Sequence, residues 1–171
     1  MKLLPAGDTA VLVELGDLEE VLSLYAQLDE DLPDGVVDMV PAAATLLLTL
    51  DPARTDVERL SRTVSSLTVG THSRAAAGEV EIPVVYDGED LADVGRLTGL
   101  GERGVVEAHT ATPWAVAFCG FAPGFGYMVG GDERLRVPRR DNPRTRVPAG
   151  AVAIAGEFAS VYPRESPGGW Q

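Results

Sequence analysis

Residues 120–128 read GFAPGFGYM, and this stretch separates two parts of the chain that differ in character. Before it, apolar residues recur at helix and strand spacing; after it, short apolar pieces alternate with Gly and Pro turns. Short strands between frequent turns favour an irregular β-barrel or sandwich. The glycines and aromatic residues of the stretch suit a ligand pocket, but a tight corner with core aromatics is the interpretation that spacing alone favours.

The residues before position 73 predict a small arrangement of helices and strands. Asp17 and Glu20 form a capping box in front of a helix, and Thr55 with Glu58 repeats the pattern. The predicted elements are a strand at 9–15, a helix at 17–32, strands at 36–40 and 45–50, a helix after Thr55, and a candidate closing strand at 67–72. This order is close to a split β-α-β sandwich.

Residues 73–78 are small and featureless, and we interpret them as a linker between domains at 1–77 and 78–171. The elements predicted beyond it are a half-buried strand at 79–86, short helices at 90–98 and 101–109, and a strand at 114–119. Pro83 places the first of these strands at a sheet edge, because proline cannot donate to a strand ladder. The predicted fold class is therefore α+β.

Length and charge restrict the classes of protein to which the chain can belong. Its 171 residues are enough for a core without disulfide or metal support, and its formal net charge is −12. Non-specific binding to nucleic acid or anionic membranes needs Lys and Arg stripes, which an acidic chain lacks. No apolar stretch approaches a membrane span, and the first residues lack signal-peptide features. We therefore expect a cytoplasmic protein with no nucleic-acid or membrane partner.

Lys2 is the only lysine among the 14 basic residues, and this restricts the chemistry further. An amidase with a Ser-Ser-Lys centre, a Schiff-base enzyme, a biotinylated lysine and a Walker A loop each need an internal lysine. The two histidines, His72 and His109, do not form a metal-ligand pattern. We therefore expect neither a metal nor biotin on this chain.

A loop at 137–150 carries four arginines framed by prolines. They are Arg139, Arg140, Arg144 and Arg146. Guanidinium groups on a rigid loop suit recognition of a carboxylate or phosphate, because their planar donors match those anions. A solvated loop, or arginines that pair with the chain's excess carboxylates, explains the same residues, and the sequence alone does not choose between the two.

Four further positions are candidates for chemistry. His109 ends a predicted helix and could act as a general base, although a helix-end histidine more often interacts with the helix dipole. Cys119 ends an apolar strand, where we expect an inert core residue. Asp90 is explained as a helix N-cap. The pair Gly168-Gly169 could offer backbone N–H groups to an anion, or form only a turn.

A set of short motifs carries a resemblance to a known family. The motifs are Tyr86-Asp87-Gly88, Asp90-Leu91, His109-Thr110, Gly120-Phe121-x-Pro123-Gly124-Phe125, Pro138-Arg139, Pro143-Arg144, Val147-Pro148-Ala149-Gly150, Ile154-Ala155-Gly156, Tyr162-Pro163 and Ser166-Pro167-Gly168-Gly169-Trp170. Together they resemble the family of the 5-oxoprolinase B subunit, also called allophanate hydrolase subunit 1, which includes the sporulation kinase inhibitor KipI. The resemblance is specific over residues 80–171; before them, only the layout and the start of the chain agree.

The resemblance implies a small α/β N-terminal domain followed by a cyclophilin-like β-barrel. It also implies two partners. One is a larger subunit of the 5-oxoprolinase C-subunit or allophanate hydrolase subunit 2 type, which together with this chain resembles the carboxyltransferase domain of urea carboxylase. The other is a third component, the A subunit. Such a complex is understood to couple ATP hydrolysis to the opening of 5-oxoproline, a cyclic amide, to L-glutamate. The expected enzyme is a hydrolase active only as a multi-subunit complex, with ATP bound outside this chain.

The same resemblance assigns roles to residues. It makes His109 the expected catalytic residue, which moves a proton. The expected substrate-binding residues are Pro123, Gly124, Phe125, Arg139, Arg144, Gly168, Gly169 and Trp170. Residues 128–133 and 157–160 depart from the usual family pattern, which bears on substrate specificity. Family members continue past the Gly-Gly-Trp motif, so we expect further barrel strands beyond Gln171.

Two alternative functions stay open at this point. One is a regulatory protein that inhibits a sensor histidine kinase, as KipI does, which would need an exposed binding patch. The other is a carboxyltransferase-like component of a urea or allophanate pathway. Cleavage of allophanate by an amidase-type centre is excluded, because Lys2 is the only lysine available.

Overall fold

The computed structural model describes residues 1–70 and 78–171. His72, most of the predicted linker at 73–78 and the end of the candidate strand at 67–72 lie outside the described residues. The chain forms two compact units, Met1–Glu79 and Val80–Gln171. Each unit is described below by itself, and the domain boundary at 77/78 stays a prediction.

The first unit is a four-stranded antiparallel sheet with two helices. Its elements are β1 (Lys2–Pro5), β2 (Ala10–Glu14), α1 (Leu18–Glu30), β3 (Val36–Pro41), β4 (Thr45–Leu50) and α2 (Val57–Ser65). The strand order is β1-β2-β4-β3. Apolar residues of β2, β4 and the two helices form one buried core, in which Val13, Leu24 and Leu48 are fully enclosed. The predicted strands at 9–15, 36–40 and 45–50 and both helices are confirmed.

Helix caps explain where these helices begin. The Asp17 carboxylate accepts from the Glu20 N–H at 2.9 Å, and the Glu20 carboxylate accepts from the Gly16 N–H at 2.8 Å. At α2 the predicted cap is wrong by one residue. Asp56 accepts from the Arg59 N–H at 2.7 Å, whereas Thr55 is buried beneath the turn. Residues 67–70 form no strand, so the predicted closing strand at 67–72 is wrong over the residues that the structure describes.

The second unit begins with two helices and continues with short strands. Its elements are α3 (Leu91–Thr98), α4 (Gly101–Thr110), β5 (Ala115–Cys119), β6 (Gly126–Val129), a 3₁₀ turn (Glu133–Leu135), β7 (Arg144–Val147), β8 (Val152–Ala155), β9 (Phe158–Val161) and β10 (Ser166–Gly168). The antiparallel sheets have the orders β5-β6-β9-β8 and β10-β7. A mixed fold with antiparallel sheets is confirmed, but the described residues show no closed barrel.

The segment 79–86 is not a strand, which corrects the prediction from its alternating side chains. Val80 and Val85 are 83% and 81% exposed, and Ile82 is half exposed. Alternation indicates how side chains would divide between two faces, but a strand also needs a neighbour that completes its hydrogen bonds. No such neighbour lies beside 79–86 among the described residues.

Two apolar clusters fill the second unit. The first joins α3 and α4 to β8 and β9 through Val94, Val105 and Ile154. The second is aromatic and contains Phe125, Tyr162 and Trp170. Cys119, expected in a core, is exposed instead, because it ends the edge strand β5. Over the described ranges 1–70 and 78–171, no helix is both long and apolar enough to span a membrane.

Candidate functional site

The turn between β5 and β6 carries the GFAPGFG stretch. Its ends are joined where the Gly120 N–H donates to the Phe125 carbonyl at 3.1 Å. Phe121 and Gly124 both have positive φ, 63° and 82°. A positive φ is unusual for phenylalanine, whereas glycine adopts it without cost. The turn therefore places Phe121 outward, 59% exposed, and Phe125 inward, 2% exposed.

Tyr162 is one of the aromatic side chains that surround Phe125 at this turn. Phe125 packs edge-on against it with ring centroids 5.2 Å apart, and Phe121 lies 6.4 Å away on the exposed side. Trp170 packs on Phe125 at 5.6 Å. We call Phe121, Phe125, Tyr162 and Trp170 the Tyr162 cluster. Phe125 is a core residue, as the tight-corner interpretation predicts, whereas Phe121 is exposed at the surface and the ligand-pocket interpretation stays a prediction.

One of the glycines predicted to bind substrate, Gly168, lies against this cluster. A methyl group added to Gly168 would come within 2.2 Å of the Tyr162 hydroxyl, so the tyrosine lies directly on the glycine backbone. A methyl group on Gly124 would lie 3.4 Å from Pro163. The strand β10, which carries Gly168, pairs with β7 and sets Gly168 opposite Arg144. Segments distant in sequence therefore meet at Tyr162.

The charge of Arg139 affects the pKa of the same tyrosine. Burial raises the pKa of the Tyr162 hydroxyl, the nearby Tyr127 raises it further, and the positive charge of Arg139 opposes both. Sequence reasoning placed Arg139 in the site but did not assign a role to Tyr162. The available signal was the Tyr162-Pro163 motif, four residues before Ser166-Pro167-Gly168.

Arg140 and Arg144 have a different environment, because both guanidinium groups hold Asp90. Arg144 donates to the two oxygens of the Asp90 carboxylate at 2.6 and 2.8 Å, and Arg140 also donates to it. Glu89 adds a longer contact to Arg144 at 3.3 Å. The Asp90 side chain is only 12% exposed. We call Asp90, Arg140 and Arg144 the Asp90 cluster.

This cluster changes the interpretation of two residues. Asp90 stands at the N-cap position of α3 but makes no side-chain cap hydrogen bond, so its predicted capping role is wrong. The pKa of Arg144 is raised above its ordinary value, with the hydrogen bond to Asp90 as the largest cause. Its donors are directed at a carboxylate of its own chain. The substrate-binding role of Arg144 stays a prediction, and it would have to use donors that Asp90 and Glu89 leave unused.

The other two arginines of the loop also differ from each other. Arg146 pairs with Glu165 at 2.6 Å on the surface. Arg139 is exposed and makes no ion pair with any residue at 1–70 or 78–171. The expectation that arginines pair with excess carboxylates thus holds for three of the four, and Arg139 is the exception.

His109 belongs to a separate group of side chains. Its Nδ1 shares a 2.7 Å hydrogen bond with the Tyr86 hydroxyl, and its ring lies 5.3 Å from that of Trp114. Its Nε2 is buried without a partner among the described residues. Burial lowers the pKa of His109 and raises that of Tyr86, so the tyrosine O–H donates to a neutral imidazole. A neutral imidazole carries no net charge, so His109 does not make the interaction with the helix dipole that the sequence suggested.

A small cavity lies beside Trp114 and not at the Tyr162 cluster. Its volume is about 160 Å³, and its lining includes Trp114, Gly131, Arg136 and Glu157. None of the residues predicted to bind substrate lines it. Within the described part of the chain, no three His, Cys, Asp or Glu side chains converge as metal ligands.

Comparison with known proteins assigns the fold to a class. The whole chain, residues 1–171, matches the family model "Carboxyltransferase domain, subdomain C and D". The Kluyveromyces lactis urea amidolyase shares the fold with a TM-score of 0.72 at 18% identity, over 99% of this chain and 12% of that one. The protein TTHA0988 is 36% identical with a TM-score of 0.72, over 95% of this chain. This chain spans only 34% of TTHA0988.

Two relatives of similar sequence identify the family to which the chain belongs. The 5-oxoprolinase B subunit of Escherichia coli O157:H7 is 40% identical over 96% of this chain and 79% of its own length. The protein of the same name from Bacillus subtilis strain 168 is 32% identical over 96% of this chain and 78% of its own length. The chain belongs to the family of the 5-oxoprolinase B subunit. The resemblance inferred from the motifs is thereby confirmed.

Gly168→Ala tests the contact between Gly168 and Tyr162. The added methyl would overlap a ring that is 3% exposed and cannot move aside, so we expect the free energy of unfolding to fall by about 1–3 kcal/mol. Trp114 and Trp170, the two tryptophans of the chain, report unfolding of this unit by fluorescence. Gly169→Ala is the matched control, because its methyl would meet Pro143 at an ordinary 3.6 Å. Equal stability of the two variants would contradict the close contact.

The lowered pKa of His109 predicts a dependence of stability on pH. The folded state takes up a proton on His109 less readily than the unfolded state, whose histidine pKa is about 6.5. The contribution of His109 is therefore fully present above that pH and is lost as pH falls below it. Asp132, whose pKa is lowered to about 2 by Arg134, acts in a lower range.

The measurement is urea unfolding of the wild type and of His109→Gln between pH 5 and 8, followed by tryptophan fluorescence. We expect the variant to lose part of the decline below about pH 6.5. His72→Gln shows whether the other histidine contributes to the decline. If the free energy of unfolding of His109→Gln depends on pH as that of the wild type does, the interpretation of His109 as a buried neutral imidazole is wrong.

Proposed function

We propose that the chain is one component of an ATP-dependent 5-oxoprolinase complex that opens 5-oxoproline to L-glutamate. The observation that carries the proposal is the identity of 40% and 32% to two proteins named as the B subunit of 5-oxoprolinase, each matched over more than three quarters of its length. Neither relative is named for kinase inhibition, which favours the enzyme over the regulatory alternative.

The proposal includes a larger partner of the C-subunit type and a third partner, the A subunit, because relatives named as a B subunit imply further subunits. ATP binding is assigned to the complex and not to this chain. The match to the carboxyltransferase family model supports a carboxyltransferase-like arrangement, in which the second unit would contribute to the cyclophilin-like barrel that the resemblance implies. The cytoplasmic location stays a sequence-based prediction.

The proposed reaction needs groups that bind the ring and the carboxylate of the substrate, and the Tyr162 cluster with Arg139 supplies some of them. The substrate is a small ring with one carboxylate and one amide, and hydrolysis adds water across the amide C–N bond. Arg139 offers a cation for the carboxylate, and the exposed Phe121 offers an apolar surface for the ring. Gly124 and Gly168 keep side chains away from this surface. These residues therefore account for binding rather than for bond cleavage.

Proton transfer is assigned to His109 within the proposal. A histidine with a lowered pKa is neutral at physiological pH. Because its Nδ1 accepts from the Tyr86 hydroxyl, the neutral ring carries its proton on Nε2, and Nε2 is the atom that would donate a proton to a reacting group. This assignment requires a reacting group to reach the Trp114 side of the unit, since no contact among the described residues joins His109 to Tyr162.

The decisive experiment is reconstitution of the complex with each component omitted in turn, followed by glutamate formation from 5-oxoproline and ATP. We expect no glutamate without this chain, and a reduction with Arg139→Ala while the complex still assembles. The loss of a charged hydrogen bond to substrate corresponds to roughly a tenfold or larger fall in kcat/KM. Arg164→Ala, an exposed arginine without an ion pair among the described residues, is the charge-matched control. Full activity in the absence of this chain would refute the proposal.

A further inference from the structure

The strand β5 (Ala115–Cys119) is the edge of a four-stranded sheet in the second unit. It pairs with β6 on one side, and no described strand pairs with it on the other. Val116 is 60% exposed, and Ala115 and Cys119 are exposed as well. An edge strand presents a row of backbone N–H and C=O groups with which another strand can pair. At β5 this row is flanked by apolar side chains.

The other edge strands of the described residues carry features that oppose such pairing. The strands β1 and β3 each contain a charged residue and a proline, β7 contains two arginines, and β10 contains a proline. Charges and prolines at an edge are common protection against edge-to-edge association. The strand β8 has neither, but its Ile154 exchanges two hydrogen bonds of 3.1 Å with Gln171. Each of these edges is therefore protected or has a neighbour.

No charge or proline protects β5. Its sequence is AVAFC, and residues 110–131 contain no charged side chain, although 23% of the chain is charged. The register of β5 against β6 shifts between Val116 and Phe118. Such a bulge bends the edge and shortens the stretch that can pair, but it does not repel a neighbouring strand. Among the described edge strands, β5 is therefore the one best suited to accept another strand.

Two observations favour a strand of a larger protein chain over a second copy of this chain as the occupant. In TTHA0988, which is 36% identical, the matched region is 34% of the polypeptide, so about two thirds of that polypeptide lies outside the match. The same fold thus occurs joined to further protein. Two copies of this chain would each bring a formal net charge of −12, and like net charges oppose association.

We propose that β5 is a docking edge to which a larger partner chain adds one short strand of apolar, uncharged sequence. Backbone hydrogen bonds supply the affinity, and side chains at alternate positions supply the specificity. The added strand is uncharged because β5 offers no charge to pair with, and an unpaired charge buried there would be costly. The identification of this chain with the larger partner of the C-subunit type rests on the proposed function.

Cys119 is the only cysteine of the chain and therefore reports on β5 directly. Its alkylation by iodoacetamide is followed by mass spectrometry in the isolated chain and in the complex with a coexpressed partner of the C-subunit type. We expect alkylation to be roughly tenfold slower in the complex, because a covered thiol reacts slowly. Equal rates overturn the inference. Protection that appears in the isolated chain as its concentration rises also overturns it, because two copies would then pair.

The variant Val116→Lys places a charge on the edge and leaves the core intact, because the valine is 60% exposed. We expect a free energy of unfolding close to that of the wild type, and affinity for the partner, measured by calorimetry, that is roughly tenfold lower. Val37→Lys is the matched control, with 58% exposure on β3, and should bind as the wild type does. Equal affinity in all three proteins, or no binding by the wild type, overturns the inference.

Assays of the complex separate this inference from the proposed function. Protection of Cys119 and weak binding by Val116→Lys, without glutamate formation by any reconstituted complex, would leave the docking edge standing and remove the function. Glutamate formation by a complex in which Cys119 reacts as fast as in the isolated chain would keep the function and overturn the docking edge.

Discussion

The carboxylate of Asp90, held by the guanidinium groups of Arg140 and Arg144, is the interaction on which the candidate site depends. It joins the start of α3 to the loop before β7 and to β7 itself. From there, the Arg140 N–H donates to the Gly169 carbonyl at 2.7 Å, and Arg144 lies opposite Gly168 in the β7–β10 pair. The ion pair therefore fixes the glycine segment on which Tyr162 lies.

The same interaction distributes the charges of the arginine loop. The Asp90 carboxylate pairs with two partly buried guanidinium groups, although Arg140 Nε has no partner among the described residues, and an unpaired charge at such a position would be costly. Arg139, at the start of the loop's arginines, has no such partner among the described residues. The loop thus carries three arginines that are held by carboxylates of the chain and one exposed arginine that is not.

Sequence patterns predicted most elements but not all of the fold. Helical periodicity and capping residues located α1 and α2, and apolar runs located β2, β3 and β4, because these signals are local. The strand β1 is four residues long and ends at Pro5, too short for a clear pattern. The segment 79–86 has the alternation of a strand but no neighbouring strand among the described residues, and a neighbour cannot be deduced from local pattern. The closed barrel was implied by resemblance and stays a proposal.

The site was predictable as a set of segments but not as a set of contacts. Gly-rich and Arg-rich motifs pointed to Gly168, which lies against Tyr162, and to Arg139, whose charge lowers the pKa of Tyr162. The pairing of Asp90 with Arg144 joins residues 54 positions apart, and the sequence offers no rule for choosing that carboxylate among 26 acidic residues. For the same reason, sequence reasoning could not distinguish Arg144 from Arg139.

A double-mutant cycle on Asp90 and Arg144 tests the central claim most directly. Unfolding of Asp90→Asn, Arg144→Gln and the double variant, followed by tryptophan fluorescence, gives the coupling energy between the two side chains. We expect a coupling of about 1–3 kcal/mol, since both groups are mostly shielded from solvent. The exposed pair Asp93–Arg96 in α3 should couple by less than about 0.5 kcal/mol. A coupling between Asp90 and Arg144 as small as that would contradict the account.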